Sequence, residues 1–409
     1  MGPIDLATAS WLGSPAGQQA ILQPDLAPSG AERAAAFSQA ELRKLAAHRY
    51  GIDAHDLLLT RDGLEQATRP EVSQARIRML GLPSGSAVLD ATGGLGLDTR
   101  AFLAAGMQVT AVERDPAIAQ LLGANAPAAR VICGDITNDQ VLAEAVAGIG
   151  PSDLVFVDPA RRGSTRSVDG SRARPERDPQ RWSPPWSFVV GLAERFRVCA
   201  KVAPGFPPTR VPAGWQAAWI ATPTGPVETC LISWPALGSA RRACVVTSGT
   251  IDAIDDDAID DDAIDDDAGH NEPGDDQSDA NPLDDYLHEP ARVVVHAGLV
   301  DALARGSGLA RLDPHTHWLT SASPIDPIRS TRLLSSYRVL AELPTAPKAL
   351  RAALRAQGVA NVTIKSRGAR LDAQAWRERL RLPEGPQATL AIWQTGSGAR
   401  VILVEAVHG

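Results

Sequence analysis

Residues 88–102 read VLDATGGLGLDTRAF, and this stretch decides the fold. Val88 and Leu89 form an apolar strand. Gly93, Gly94 and Gly96 follow as three positions without a Cβ, where a chain can turn tightly and a ligand can approach the backbone. From Leu97 to Ala105 the pattern is helical and Gly106 closes it. The free N–H groups at the start of such a helix point at whatever fills the turn. The stretch therefore predicts a nucleotide cradle, although a tight strand-to-helix turn without a ligand has the same composition.

Spacing downstream narrows the choice. A second strand, 108–112, ends in Glu113, about twenty residues past the glycines, where a carboxylate can accept both hydroxyls of a ribose. Asp115 and Pro116 cap and open the next helix. A third strand, 129–133, ends at Gly134 and Asp135; a fourth, 154–157, ends at Asp158, Pro159, Ala160, Arg161 and Arg162. Four strands each deliver a glycine turn or an acid to the C-terminal edge, where doubly wound sheets bind their ligands.

Asp90, the GGxG cluster, Glu113, Asp135 and the DPARR sequence, in that order, resemble the motifs of class I S-adenosylmethionine-dependent methyltransferases. The match runs over about 84–234. The resemblance implies a Rossmann-like seven-stranded α/β sheet. It implies that Asp90, Thr92 and the glycine loop (Gly93, Gly94, Gly96) hold the methionine part of S-adenosyl-L-methionine, Glu113 its ribose, and Asp135 with Ile136 its adenine. Asp158 and Pro159 would form the methyl-transfer site. A nicotinamide-binding domain would account for the first strand, the turn and Glu113, but has no need of Asp90 or of an Asp-Pro loop after the fourth strand. In amino-methylating enzymes the loop carries a second proline and an aromatic, where Ala160 and Arg161 stand here. The loop also resembles that of C5-uracil RNA methyltransferases, which use a cysteine nucleophile, but the sequence around Cys199 (VCAKVAPGF) lacks their Cys-Asn-Pro pattern.

At 409 residues, with 44% hydrophobic residues and a mean hydropathy of −0.11, the chain is expected to be a soluble, cytoplasmic protein of two or three domains. No apolar run approaches membrane-spanning length and no signal peptide pattern opens the chain. Cys133, Cys199, Cys230 and Cys244 are widely spaced, so no disulfide frame and no metal site are expected; reduced, buried thiols are. Nothing in the composition fixes the oligomeric state.

The expected division is an N-terminal helical region over 1–82, the methyltransferase sheet over 83–238, an acidic linker over 239–290, a connecting segment over 291–345 and a small α+β domain over 346–409. In the first, Ser38 with Glu41 and Thr68 with Glu71 read as capping boxes, closed by Gly51 and Gly81. In the second, the stretch 160–185 is long and rich in arginine, suited to phosphate oxygens, and Trp182 and Trp186 read either as stacking platforms or as core anchors. Further strands are expected at 197–201, 215–222 and 227–234, the last two as a hairpin.

In the linker, three copies of AIDDD run over 253–267 and are expected to be disordered. The stretch 251–289 holds seventeen acids and no Lys or Arg; outside it 31 acids face 40 bases, turning the net −8 into +9. An acidic pI thus hides a basic remainder suited to a polyanion. Beyond it, 292–296 reads as a strand and 299–304 as a helix. The final region predicts helices over 346–357 and 372–382 and half-buried strands over 361–366, 388–394 and 400–407. Its sequence (VTIKSRGARLDAQAWRERLRL, then ATLAIWQTGSGARVILVEA) resembles the THUMP-like domain at the C-terminus of certain bacterial class I methyltransferases. That resemblance implies an RNA partner, tRNA or rRNA rather than DNA, and makes Arg161, Arg162, Arg377 and Arg381 candidate contacts. A small-molecule or protein methyltransferase, or a noncatalytic RNA-binding protein, are the rival readings.

Overall fold

The computed structural model describes residues 4–161, 176–256, 281–313, 316–325, 332–367, 376, 378, 380, 386–395 and 398–407. The chain divides into two compact units, the first built mainly from 1–222 and 226–240, the second from 241–245 and 250–409.

The first unit holds strands β1 (Ala87–Asp90), β2 (Gln108–Glu113), β3 (Arg130–Cys133), β4 (Leu154–Val157), β5 (Arg197–Val202), β6 (Gln216–Ala221) and β7 (Glu228–Ile232). Their order is β3-β2-β1-β4-β5-β7-β6, with β7 antiparallel to both β5 and β6. The first five strands are parallel. Their short apolar runs suit strands covered on both faces, and β4 is buried at every position. Within the first unit these seven strands have the expected arrangement, five parallel strands followed by an antiparallel pair. Trp182 and Trp186 are core anchors: both are buried, their indole N–H groups donate to the carbonyls of Glu176 and Arg210, and both rings meet Phe206.

Ahead of the sheet lie helices Leu6–Gly13, Pro15–Leu22, Gly30–Leu45, Arg61–Gln66 and Pro70–Leu80. Side chains of Asp5, Ser14, Ser29 and Thr60 cap the first four. Ser38 lies inside the third helix rather than opening it, because Ser29 accepts from the Glu32 N–H a full two turns earlier. Gly51 does close this region, at φ 66°. Asn125 fastens the lead-in to the sheet layer: its carboxamide bonds both backbone groups of Leu58 and the carbonyl of Leu95.

In the second unit β8 (Arg241–Val246) neighbours β9 (Ile251–Asp255). The first AIDDD copy therefore enters a strand instead of remaining disordered. Its acids have partners: Arg242 grips Asp255 through two nitrogens at 2.6 and 2.8 Å, and Arg241 reaches Asp256 at 3.3 Å, while just ahead of it Arg332 reaches Asp252 at 3.2 Å. The other two copies lie outside the described residues.

A second sheet has the order β11-β12-β10-β13-β16-β15-β14, from β10 (Tyr286–Pro290), β11 (Ala310–Arg311), β12 (Leu319–Ser321), β13 (Leu334–Leu343), β14 (Asn361–Arg367), β15 (Gln387–Thr395) and β16 (Gly398–Ala406). Its central strands are covered on both faces, not half-buried as their alternation suggests. Leu390 and Ile392 pack with Leu350 and Leu354 of helix Pro347–Ala356, while Ala391 and Trp393 pack with Trp318 and Leu287. Residues 292–296 form a helix rather than a strand. Five residues are too few for periodicity to separate the two, and tertiary burial of Val293 and Val294 decides.

Candidate active site

The parallel strands end along one edge, and their loops are laced together by backbone bonds. Ala91 N–H donates to Phe156 O at 2.9 Å, Gly93 N–H to Val112 O at 2.8 Å, and Gly134 N–H to Glu113 O at 2.9 Å. Above this edge lies a cavity of about 680 Å³.

One wall is the glycine turn. A Cβ on Gly93 would stand 2.3 Å from Leu122 Cδ1, so the turn approaches the following helix as closely as glycine allows. Gly94 adopts φ 52° and its N–H donates to Glu113 Oε2 at 3.0 Å; the Asp115 N–H donates to Oε1 at 2.9 Å. The Glu113 carboxylate is thus held in place at the cavity wall by two backbone donors. Gly96 does not line the cavity: at φ 80° it opens helix Leu97–Ala104 and packs on Leu122. Its role is in the turn. Asp135 and Ile136 complete this wall. The Thr137 N–H and hydroxyl both donate to Asp135 Oδ1, which holds its carboxyl below the usual range.

Asp90 sits at the floor, 1% exposed. Thr99 donates to it at 2.6 Å and the Thr92 N–H at 3.3 Å. Burial pushes its carboxyl up to about 7, opposed by the Thr99 bond and helped by the nearby Asp98 charge.

The opposite wall is Asp158, Pro159, Ala160 and Arg161. The Asp158 N–H donates to Thr92 Oγ1 at 2.7 Å, so Thr92 ties the two loops. Arg161 is half-buried at the wall. Arg162, Arg377 and Arg381 lie outside the described residues. The segment 63–69 and Val72 from the N-terminal lead-in line the cavity too, including Thr68 and Arg69.

Behind Asp158 stands a group of charges that the motifs do not announce. Lys201 Nζ lies 2.7 Å from Asp158 Oδ2, 3.4 Å from Asp98 Oδ2 and 3.5 Å from Glu228 Oε2, and donates to Thr68 Oγ1 at 2.8 Å. Arg76, 1% exposed, pairs with Asp98 and Glu228 and lies over the Phe156 ring at 4.7 Å. Burial by itself would push the Lys201 ammonium down, yet Asp158, Glu228 and Asp98 together hold it above the ordinary lysine range. Two signals were present in the sequence. Arg76 falls four residues from both Val72 and Leu80 on the buried face of its helix, and Lys201 interrupts the otherwise apolar strand VCAKV. The hydroxyl of Thr68, expected as a helix cap, instead donates to Glu228 Oε2 at 2.7 Å.

Cys199 is fully buried and does not line the cavity. A thiol there cannot reach an acceptor, and the covalent alternative has no geometric support. Cys133, unlike the other three cysteines, is exposed.

Residues 334–406, from β13 to β16, match the THUMP domain-like family. Two Mycobacterium tuberculosis relatives, from strains CDC 1551 / Oshkosh and ATCC 25618 / H37Rv, are both described as uncharacterized S-adenosylmethionine-dependent methyltransferases. Each is 28% identical over 374 residues, covering 88% of this chain and 92% of the relative. A solved structure from Porphyromonas gingivalis W83, provisionally assigned as a methyltransferase, aligns with a TM-score of 0.69 at 20% identity, covering 98% of this chain and 97% of that one. The site residues fit S-adenosyl-L-methionine: bare backbone at Gly93 and Gly94, a fixed carboxylate at Glu113, and room for a nucleoside with its amino-acid tail. No helix among the described residues is long and apolar enough to cross a membrane.

Proposed function

We propose that this chain, a class I S-adenosylmethionine-dependent methyltransferase with a THUMP-like domain, methylates a nucleotide in structured RNA, tRNA or rRNA, in the cytoplasm. The observation that carries the reading is one cavity lined by both the glycine turn and the Asp158 loop, in a chain whose residues 334–406 match the THUMP domain-like family. The basic balance outside 251–289 supports a polyanionic partner.

In this reading Asp90, Thr92, Gly93 and Gly94 hold the methionine end of the cofactor, with Gly96 shaping the turn. Glu113 takes the ribose, and Asp135 with Ile136 the adenine. The cofactor supplies an electrophilic methyl group on a positively charged sulfur. Asp158 accepts a hydrogen bond from the acceptor group and orients its lone pair, while Pro159 stiffens the loop. Positioning of this kind supplies much of the rate of a bimolecular transfer. Arg161, Arg162, Arg377 and Arg381 are the candidate contacts to RNA phosphate.

The test is transfer of labelled methyl groups from S-adenosylmethionine to RNA, protein and small-molecule fractions from cells lacking the gene, with Asp158→Ala as control. Label in RNA that nuclease releases and the control lacks is the expected result. Label confined to another fraction overturns the RNA assignment.

A further inference from the structure

Lys201 is 8% exposed in the middle of an apolar sheet, and its placement is geometric. The parallel register pairs Val157 with Ala200, so one step further along each strand Asp158 and Lys201 stand side by side. A buried ion pair contributes little net stability compared with well-packed apolar side chains, so stability alone gives weak reason to keep a lysine here. What the lysine does provide is a fixed carboxylate. The main chain of Asp158 is tied to Thr92 and its Oδ2 to Lys201. Among the described residues no protein donor reaches Oδ1, and the side chain is 36% exposed, at the cavity wall. One oxygen is anchored and the other faces the space where an acceptor would sit.

We propose that Lys201 is a positioning residue for methyl transfer: it clamps Oδ2 of Asp158 and so presents Oδ1 to the hydrogen of the acceptor group. The proposal rests on the reading of Asp158 as part of the transfer site. The groups facing this pair are Asp98 and Arg76 from the two flanking helices, Glu228 and Cys230 on β7, Cys199 on β5, Asp90 on β1, and Thr68. Three carboxylates (Asp98, Glu228, Asp158) share two cations (Arg76, Lys201), so the cluster carries one excess negative charge, and Asp158 is its most exposed acid. Without Lys201, three acids would share Arg76, and Asp158, the most exposed of them, would lose the donor that fixes its Oδ2.

The test uses the full chain as Lys201→Met and as Lys201→Met with Glu228→Gln. The double variant keeps the wild-type charge balance and guards against simple misfolding. Affinities for S-adenosylmethionine and S-adenosylhomocysteine are measured by calorimetry at pH 8.5, above the range in which Asp90 at the cavity floor changes charge. Methyl transfer is followed at the same pH, as kcat and KM, with whichever fraction accepts label. In both variants kcat should fall by roughly 10- to 100-fold, with acceptor KM and both cofactor affinities little changed.

If the double variant regains the wild-type kcat, Lys201 only balances charge and the proposal fails. Unchanged behaviour of Lys201→Met also overturns it. Label in protein instead of RNA removes the RNA assignment but leaves the Lys201 comparison intact.

Discussion

Arg76 offers the most demanding test of how the site is built. Its guanidinium is buried, pairs with Asp98 and Glu228, and lies on the Phe156 ring. In Arg76→Met those carboxylates keep Lys201 as their cation, and it already serves Asp158. Removing one partner of a buried ion pair costs about 3–5 kcal/mol, because the remaining charge stays desolvated. At about 2–4 °C per kcal/mol for a unit of this size, Tm should drop by roughly 10 °C. Replacing the whole set, Arg76→Met with Asp98→Asn and Glu228→Gln, removes the stranded charges and should recover most of the loss. Urea unfolding of the three proteins, compared at equal m-value, reads the difference. A single variant costing less than about 1 kcal/mol, the range of exposed ion pairs, would refute the argument that these charges are truly desolvated. A triple variant no better than the single would refute the charge explanation and leave packing as the cause.

Other expectations are narrower. Gly93→Ala should cost about 1–3 kcal/mol, because its Cβ must displace the buried Leu122. Gly94→Ala, with open space and only φ 52° against it, should cost about 1–2 kcal/mol; chemical denaturation ranks the two, and an inverted order would contradict the packing of the turn. Asp90 has a folded-state carboxyl raised to about 7, so it takes up protons on folding and its contribution is lost as pH rises from about 4 to about 7. Asp90→Asn should therefore gain on the wild type across that window, by up to about 4 kcal/mol, and urea midpoints at pH 5 and pH 8 measure the gain. His288 shifts oppositely: burial lowers it to about 4, with its ring nitrogens 2.9 Å from the hydroxyls of Ser336 and Ser321. Its contribution is present above about 6.5 and is lost as pH falls toward 4, by up to about 3 kcal/mol, and His288→Gln should flatten that slope in acid unfolding of the second unit.

The glycine turn, the strand ends at Glu113, Asp135 and Asp158, and the antiparallel pair β6–β7 were legible because each is specified by neighbours in the chain. Positive φ at Gly94 and Gly96 and an apolar run stopping at an acid are local facts, and the parallel order of the sheet follows from them. Local rules failed where a side chain had a choice of partners. Thr68 has the residue type of a cap, but its hydroxyl goes to Glu228, 160 positions away, and Arg76 reaches the same acid across 152. Ser38 could have capped a helix, and Ser29 did so first. Residues 251–255 are acidic enough to stay extended in water, yet Arg242 and Arg332 draw them into a strand. The alternation in β15 reads as one wet face, until helix Pro347–Ala356 and Trp318 cover both. By itself the sequence determined where backbone turns and strands must be, since backbone conformation is set within a few residues. Which charges share a buried site, and so which carboxylate stands fixed at the cavity wall, was decided only when folding brought distant side chains out of water together.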